Sequence, residues 1–104
     1  MLYAQVLVPE LCTDASCHGG LEPGGALRLD APEAAHAELV DVPAGGFPCA
    51  NRGLVRVVPG SPERSLLYLK LTDNPCGTAM PPARALDAPG LDAVYAWIAE
   101  GAQR

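Results

Sequence analysis

Two cysteines and a histidine near the amino end have the types and the order needed to hold a haem. The run is Cys12-Thr13-Asp14-Ala15-Ser16-Cys17-His18. Each thiolate can add across one haem vinyl group and leave a thioether, as in Cys-x-x-Cys-His attachment motifs. The residue after the second cysteine then lies under the iron, where a neutral imidazole can ligate it. Here four residues separate the cysteines, so the spacer must bulge between two fixed anchor points. Thr13, Asp14, Ala15 and Ser16 are small or polar enough to do that. Two other chemistries use the same residues. Cys12 and Cys17 could close a short disulfide and leave His18 exposed, or they could join His18 and a distant cysteine around zinc. Adjacent Cys17 and His18 make awkward tetrahedral partners, and no further ligands at paired zinc spacing follow.

The second candidate ligand is Met80, in Met80-Pro81-Pro82. Thioether sulfur is a soft ligand that raises the potential of haem iron. Two prolines stiffen the segment that would present it. Alone, Met80 reads as core filler; beside Cys17-His18 it reads as the second axial ligand. Cys49 and Cys76 remain. Pairing them would stabilise the chain by about 3 kcal/mol through loop closure and tie the segment before Met80 to the middle of the sequence. Buried thiols are the alternative. Arg52 and Arg56 are candidate partners for haem propionates, since guanidinium forks match carboxylates, though solvation at the surface is the plainer role for each.

Short helices must position these groups. Leu2, Tyr3, Val6 and Leu7 share one helical face, and Pro9 ends or kinks that helix just before Cys12. Gly19-Gly20 and Pro23-Gly24-Gly25 make a loop after His18. A second helix is expected from Asp30-Ala31-Pro32-Glu33 to about Val40, with Asp30 as cap. His36 lies on it and reads as solvated or structural. Pro43 to Pro48 is a loop. Leu54 to Val58 is β-branched and extended. Ser61, as cap, and Pro62 start a helix that runs through Leu71, apolar nearly all round and so buried on more than one side. Asp73 to Gly77 is a turn. A final helix runs from Asp87-Ala88-Pro89 to near Glu100, with Gly101 closing it. It carries Leu91, Val94, Tyr95 and Ile98 towards the first helix, with Trp97 as core or haem-edge packing.

Composition bounds the rest. At 104 residues the chain is one domain, 1–104, which buries roughly 65% of its unfolded surface. Eleven Gly and eleven Pro disfavour long helices or a large sheet. One Phe, one Trp and three Tyr are thin aromatic filling, which an apolar prosthetic group would supplement. The formal charge of −5, with no basic run, argues against nucleic acid and anionic membrane as partners. It suits a redox partner protein bearing a basic patch. Four cysteines in so short a chain suit an oxidising compartment, periplasmic or extracellular. No signal peptide or membrane span is visible. Export therefore implies a trimmed signal, or a domain belonging to a longer multidomain or multi-haem assembly. No Ser/His/Asp set, paired catalytic carboxylates or phosphate-binding loop suggests an enzyme.

Several separated pieces agree with one family. They are the short apolar start, Cys12-x4-Cys17-His18, the Gly-rich loop, Leu27-Arg28-Leu29-Asp30, Val57-Val58-Pro59-Gly60-Ser61-Pro62, Ser65 to Leu71, Cys76-Gly77, Met80-Pro81-Pro82 and Ala96-Trp97-Ile98-Ala99-Glu100-Gly101-Ala102. Together, over essentially the whole chain, they resemble the cytochrome c-like domains of planctomycete and myxobacterial exported proteins. The resemblance implies an all-α cytochrome c-like fold, short helices joined by Gly/Pro-rich loops around one covalent haem c. It implies Cys12 and Cys17 as thioether anchors, His18 and Met80 as axial iron ligands, a Cys49–Cys76 disulfide, and electron transfer as the function. The departure is the spacer of four. The corresponding alternative is a haem-free, disulfide-stapled binding or structural module on the same scaffold.

Overall fold

The computed structural model describes residues 6–7, 12, 18–19, 27–29, 31–45, 49–77, 80–81 and 85–103. Within them lie helices α1 (Pro32–Leu39), α2 (Leu66–Thr72) and α3 (Ala88–Ala99), and 3-10 turns at Cys49–Arg52 and Pro62–Arg64. Among the described residues β pairing is confined to isolated bridges around Val40, Pro43, Val55, Val57 and Ser65. Most of the expected first helix lies outside the described residues. Val6 and Leu7 of it are buried. The Leu7 carbonyl accepts the Cys12 N–H at 2.9 Å, a span one residue wider than in an α-helix.

α1 begins with Pro32 in its first turn, preceded by an extended Ala31, and Ala35 and Leu39 face the core. The expected cap, Asp30, lies outside the described residues. The helix stops because Val40 is extended and Asp41 adopts φ +60°, a left-handed conformation that Asp tolerates better than most residues.

Residues 54–58 run extended, as expected, and act as a central tie. On one side Asp41 N–H donates to Val57, Arg56 N–H to Val42 and Ala44 N–H to Leu54. On the other, Leu66 N–H donates to Val55 and Leu67 N–H to Arg56, each at 2.9 Å. The first amides of α2 have no intrahelical partner, and this strand-like segment supplies their acceptors.

The helix expected from Ser61 through Leu71 is broken in two. A 3-10 turn covers Pro62–Arg64, Ser65 is extended, and α2 starts at Leu66. The cause is the Ser65 hydroxyl, which is fully buried. It accepts the Val58 N–H at 2.8 Å and donates to the Ser61 carbonyl at 2.9 Å. A side chain bonding to nearby backbone competes with helix continuation. Ser61 makes no side-chain cap; its carbonyl, not its hydroxyl, is what the structure uses. Leu66 is buried, while Leu67, Tyr68, Leu69 and Leu71 are half-buried, so α2 is less enclosed than its composition suggests.

α3 matches its expected bounds. Asp87 caps it, its carboxylate accepting the Gly90 N–H at 2.9 Å. Gly101 closes it at φ +107°, and the Ala102 N–H returns to the Trp97 carbonyl at 2.9 Å, as in a Schellman ending. Val94 and Ile98 are fully buried and join Val6, Leu7, Leu29, Leu39 and Val57 in one core. Val6 and Leu7 thus share that core with α3, whereas Tyr95, expected on the same inward face, is exposed.

Candidate functional site

His18 is half-buried and held at two points by the segment 27–29. Its carbonyl accepts the Leu29 N–H at 2.7 Å, and its ring Nδ1 lies 3.0 Å from the Leu27 carbonyl. A carbonyl can only accept, so Nδ1 carries a proton, and in the neutral imidazole Nε2 is the nitrogen with the lone pair. Fixing one ring nitrogen through a backbone carbonyl is how metal-ligating histidines are oriented and kept in one tautomer. The clamp is itself anchored: the Arg28 N–H donates to Glu38 of α1 at 2.9 Å, and Leu29 is buried.

Cys12 is half-buried and packs against the main core. Cys17 lies outside the described residues, as does the spacer 13–16. Met80 is described and half-buried. Half-buried Leu27, Leu67, Tyr68, Leu71, Leu91 and Trp97 also pack on that core, an apolar set that remains incompletely covered. Among the described residues no cluster of three or more His, Cys, Asp or Glu could hold a metal ion.

Cys49 and Cys76 form a disulfide, with sulfurs 2.09 Å apart and Cα atoms 5.3 Å apart. Both are buried and share a second, smaller core with Leu66. Three side chains reinforce the turn that follows α2. Lys70 Nζ donates to the Cys76 carbonyl at 2.6 Å, Arg52 to the Pro75 carbonyl at 3.3 Å and Asn74 to the Gly77 carbonyl at 3.0 Å. Burial pushes the Lys70 ammonium below its ordinary value. The chain leading to Met80 is therefore fixed at 74–77 from three directions and by a covalent bond.

The two arginines part company. Arg52 is exposed and reaches the 73–77 turn. Arg56 is buried, against the expectation of surface solvation, and donates to the Glu38 carbonyl at 2.8 Å near the end of α1. Burial lowers its pKa, opposed by the Glu38 charge. His36 is structural, as expected: its Nε2–H donates to the Ala102 carbonyl at 2.8 Å, and its ring meets the Trp97 edge at 6.5 Å. Trp97 Nε1–H donates to the Gln103 carbonyl at 2.6 Å. Sequence reasoning missed Leu27 as the partner of His18 and Lys70 as the tie to Cys76. A lysine in the last turn of a helix is a recognisable signal for binding nearby carbonyls; a loop carbonyl carries none.

Comparison with protein-family models, curated proteins and solved structures finds no match for this chain. No helix among the described residues is long and apolar enough to cross a membrane.

Proposed function

We propose that this chain is a small electron-transfer protein of cytochrome c-like, all-α fold, carrying one covalent haem c outside the cytoplasm. The observation that carries the reading is the His18 clamp. The Leu27 carbonyl keeps the proton on Nδ1, which leaves Nε2 as the nitrogen able to ligate iron. Cys12 and Cys17 would supply the thioethers, and Met80 the second axial ligand. When bound, the haem supplies a one-electron iron couple.

The chain's own residues do the rest. Leu27 and Leu29 fix the imidazole and its tautomer. The Cys49–Cys76 bond and Lys70 restrain the approach to Met80, which reduces the entropy lost on placing a soft sulfur. Nitrogen and sulfur on opposite sides would fill both axial positions, leaving none for a substrate, so the reading is a carrier and not an enzyme. A partner protein with a basic patch would complement the acidic surface.

The test is expression in a host with c-type maturation, followed by a haemochrome spectrum after denaturation and by intact mass. A haem adduct on Cys12 and Cys17 is the expected result. Colourless protein with a Cys12–Cys17 disulfide would replace this reading with the haem-free stapled module. In loaded protein, Met80→Ala should change the spectrum and lower the potential. An unchanged spectrum would remove Met80 from the ligand set.

A further inference from the structure

Away from the His18 clamp, two tyrosines and a glutamate from three elements meet at the surface. Tyr95 of α3 is the exposed large apolar side chain among the described residues, at 39%. Its hydroxyl donates to Glu63, on the Pro62–Arg64 turn, at 2.7 Å. Tyr68 of α2 meets the Tyr95 ring edge-on, centroids 5.4 Å apart, and packs inward against the main core.

An exposed hydrogen bond of this kind contributes little to stability, because water competes for both groups. Its effect on phenol chemistry is larger. Removing one electron from a tyrosine makes its hydroxyl a very strong acid. Without a base in contact, the oxidised ring is a high-energy cation. A carboxylate already accepting the hydroxyl proton lets the electron and the proton leave together. The hydrogen bond from Tyr95 holds the Glu63 carboxyl below its usual range, and the same bond, with the Glu63 charge, raises the Tyr95 phenol. At neutral pH the pair is therefore a neutral phenol beside an ionised carboxylate, the state the chemistry requires.

We propose that Tyr95 is a proton-coupled, one-electron oxidation site, with Glu63 as its proton acceptor. The co-reactant is a high-potential, outer-sphere one-electron oxidant arriving at the exposed ring. The electron leaves the Tyr95 ring for that oxidant, and the hydroxyl proton crosses to the Glu63 carboxylate. The products are a neutral Tyr95 radical, a protonated Glu63 and the reduced oxidant. Re-reduction returns the electron and the proton by the same path, and the Tyr68 contact gives the ring a neighbour on the core side. The site does not depend on haem.

The experiment uses the full chain and photogenerated tris(bipyridine)ruthenium(III) as the oxidant. Freeze-trapped electron paramagnetic resonance detects the radical and separates it from any iron signal. Peptide mass spectrometry then locates the oxidised residue. The expected result is a tyrosyl signal mapped to Tyr95. Tyr95→Phe should abolish it, and Glu63→Gln, which keeps a hydrogen-bond acceptor but removes the base, should slow its formation at least about tenfold, as loss of a general base does. Circular dichroism confirms that both exposed-site variants remain folded. Oxidation of Glu63→Gln at the unaltered rate, or a radical residing on Tyr3 or Trp97 with Tyr95 unmodified, would overturn the proposal.

Discussion

Ser65→Ala should be among the most costly single substitutions outside the main core, although it removes one oxygen atom. The Ser65 side chain is fully buried. Its hydroxyl accepts the Val58 N–H at 2.8 Å and donates to the Ser61 carbonyl at 2.9 Å. Two such bonds are worth about 1 kcal/mol each in net terms, and leaving a half-buried N–H without its acceptor adds about 1 kcal/mol or more. The expected loss is therefore ~2–4 kcal/mol, a large part of the 5–15 kcal/mol typical of whole domains. In a domain of this size that corresponds to a melting temperature lower by roughly 10–25 °C. Ser61→Ala is the matched control. The Ser61 hydroxyl makes no cap bond, and its carbonyl survives the change, so the cost should stay within about 0.5 kcal/mol. Urea unfolding followed by the fluorescence of Trp97 reads both variants. Equal losses, or a larger loss for Ser61→Ala, would show that the 61–65 segment is held by ordinary helix capping and not by the Ser65 hydroxyl.

Three further outcomes follow from the geometry. Replacing Cys49 and Cys76 by alanine opens a link spanning 27 residues and should cost about 3.5 kcal/mol by loop closure; a midpoint in denaturant no lower than that of the oxidised parent would contradict it. Gly90→Ala sets two effects against each other. Alanine is favoured in a helix by about 1 kcal/mol, but its Cβ would sit 2.8 Å from Leu86 Cγ and 2.9 Å from the capping oxygen of Asp87. Leu86 is buried and has little room to move, so overpacking at about 1–3 kcal/mol should win, and thermal melting would show a net loss. The Glu63–Tyr95 pair gives a pH signature. Its carboxyl pKa is depressed on folding, so its contribution is complete above the unfolded value and disappears as pH falls through the folded one. Its phenol pKa is raised, so that contribution is complete below the unfolded value and is lost as pH rises through the folded one. The stability gap between the parent and Tyr95→Phe should therefore be widest near neutrality and close at both extremes; a gap that persists in acid would refute the linkage.

The elements that sequence placed well are those whose ends carry their own signals. α3 begins at Asp87-Ala88-Pro89 and closes at Gly101 because the cap, the proline and the left-handed glycine act locally. α1 ends within a residue of its expected limit, where Val40 turns extended, and only Pro32 in its first turn is a local signal of the same kind. The break at Ser65 was not legible, because its cause is an amide on a segment that only the fold brings near. Arg56 was misjudged on the same ground: a guanidinium is assumed to seek water until a helix-end carbonyl is shown beside it. In the candidate site, His18 and Met80 are proposed from residue type and order alone. The Leu27 carbonyl was not legible, since every residue has one. Cys49–Cys76 pairing was one of several open possibilities for four cysteines, and proximity in the fold selects it.

These misses share a physical origin that bears on function. With eleven Gly and eleven Pro in the chain, the described residues form short helices and isolated bridges, and carbonyls outside them must find partners elsewhere. Nitrogen-bearing side chains supply them. Five of the nine residues counted as Lys, Arg or His donate to loop or helix-end carbonyls: His18 to Leu27, His36 to Ala102, Arg52 to Pro75, Arg56 to Glu38 and Lys70 to Cys76. Two of the cations, Arg56 and Lys70, are thereby drawn wholly or partly out of solvent. Most of the described acids are not: Glu33, Asp41, Glu63, Asp73, Asp87, Asp92 and Glu100 are exposed, with Glu38 half-buried. Among the described residues the exposed acids therefore outnumber the exposed bases, which are Arg28, Arg52 and Arg64. Drawing Arg56 and Lys70 towards carbonyls while most described carboxylates stay exposed tilts the described surface towards negative charge. That balance of charge would steer the proposed electron carrier towards a basic partner at low ionic strength.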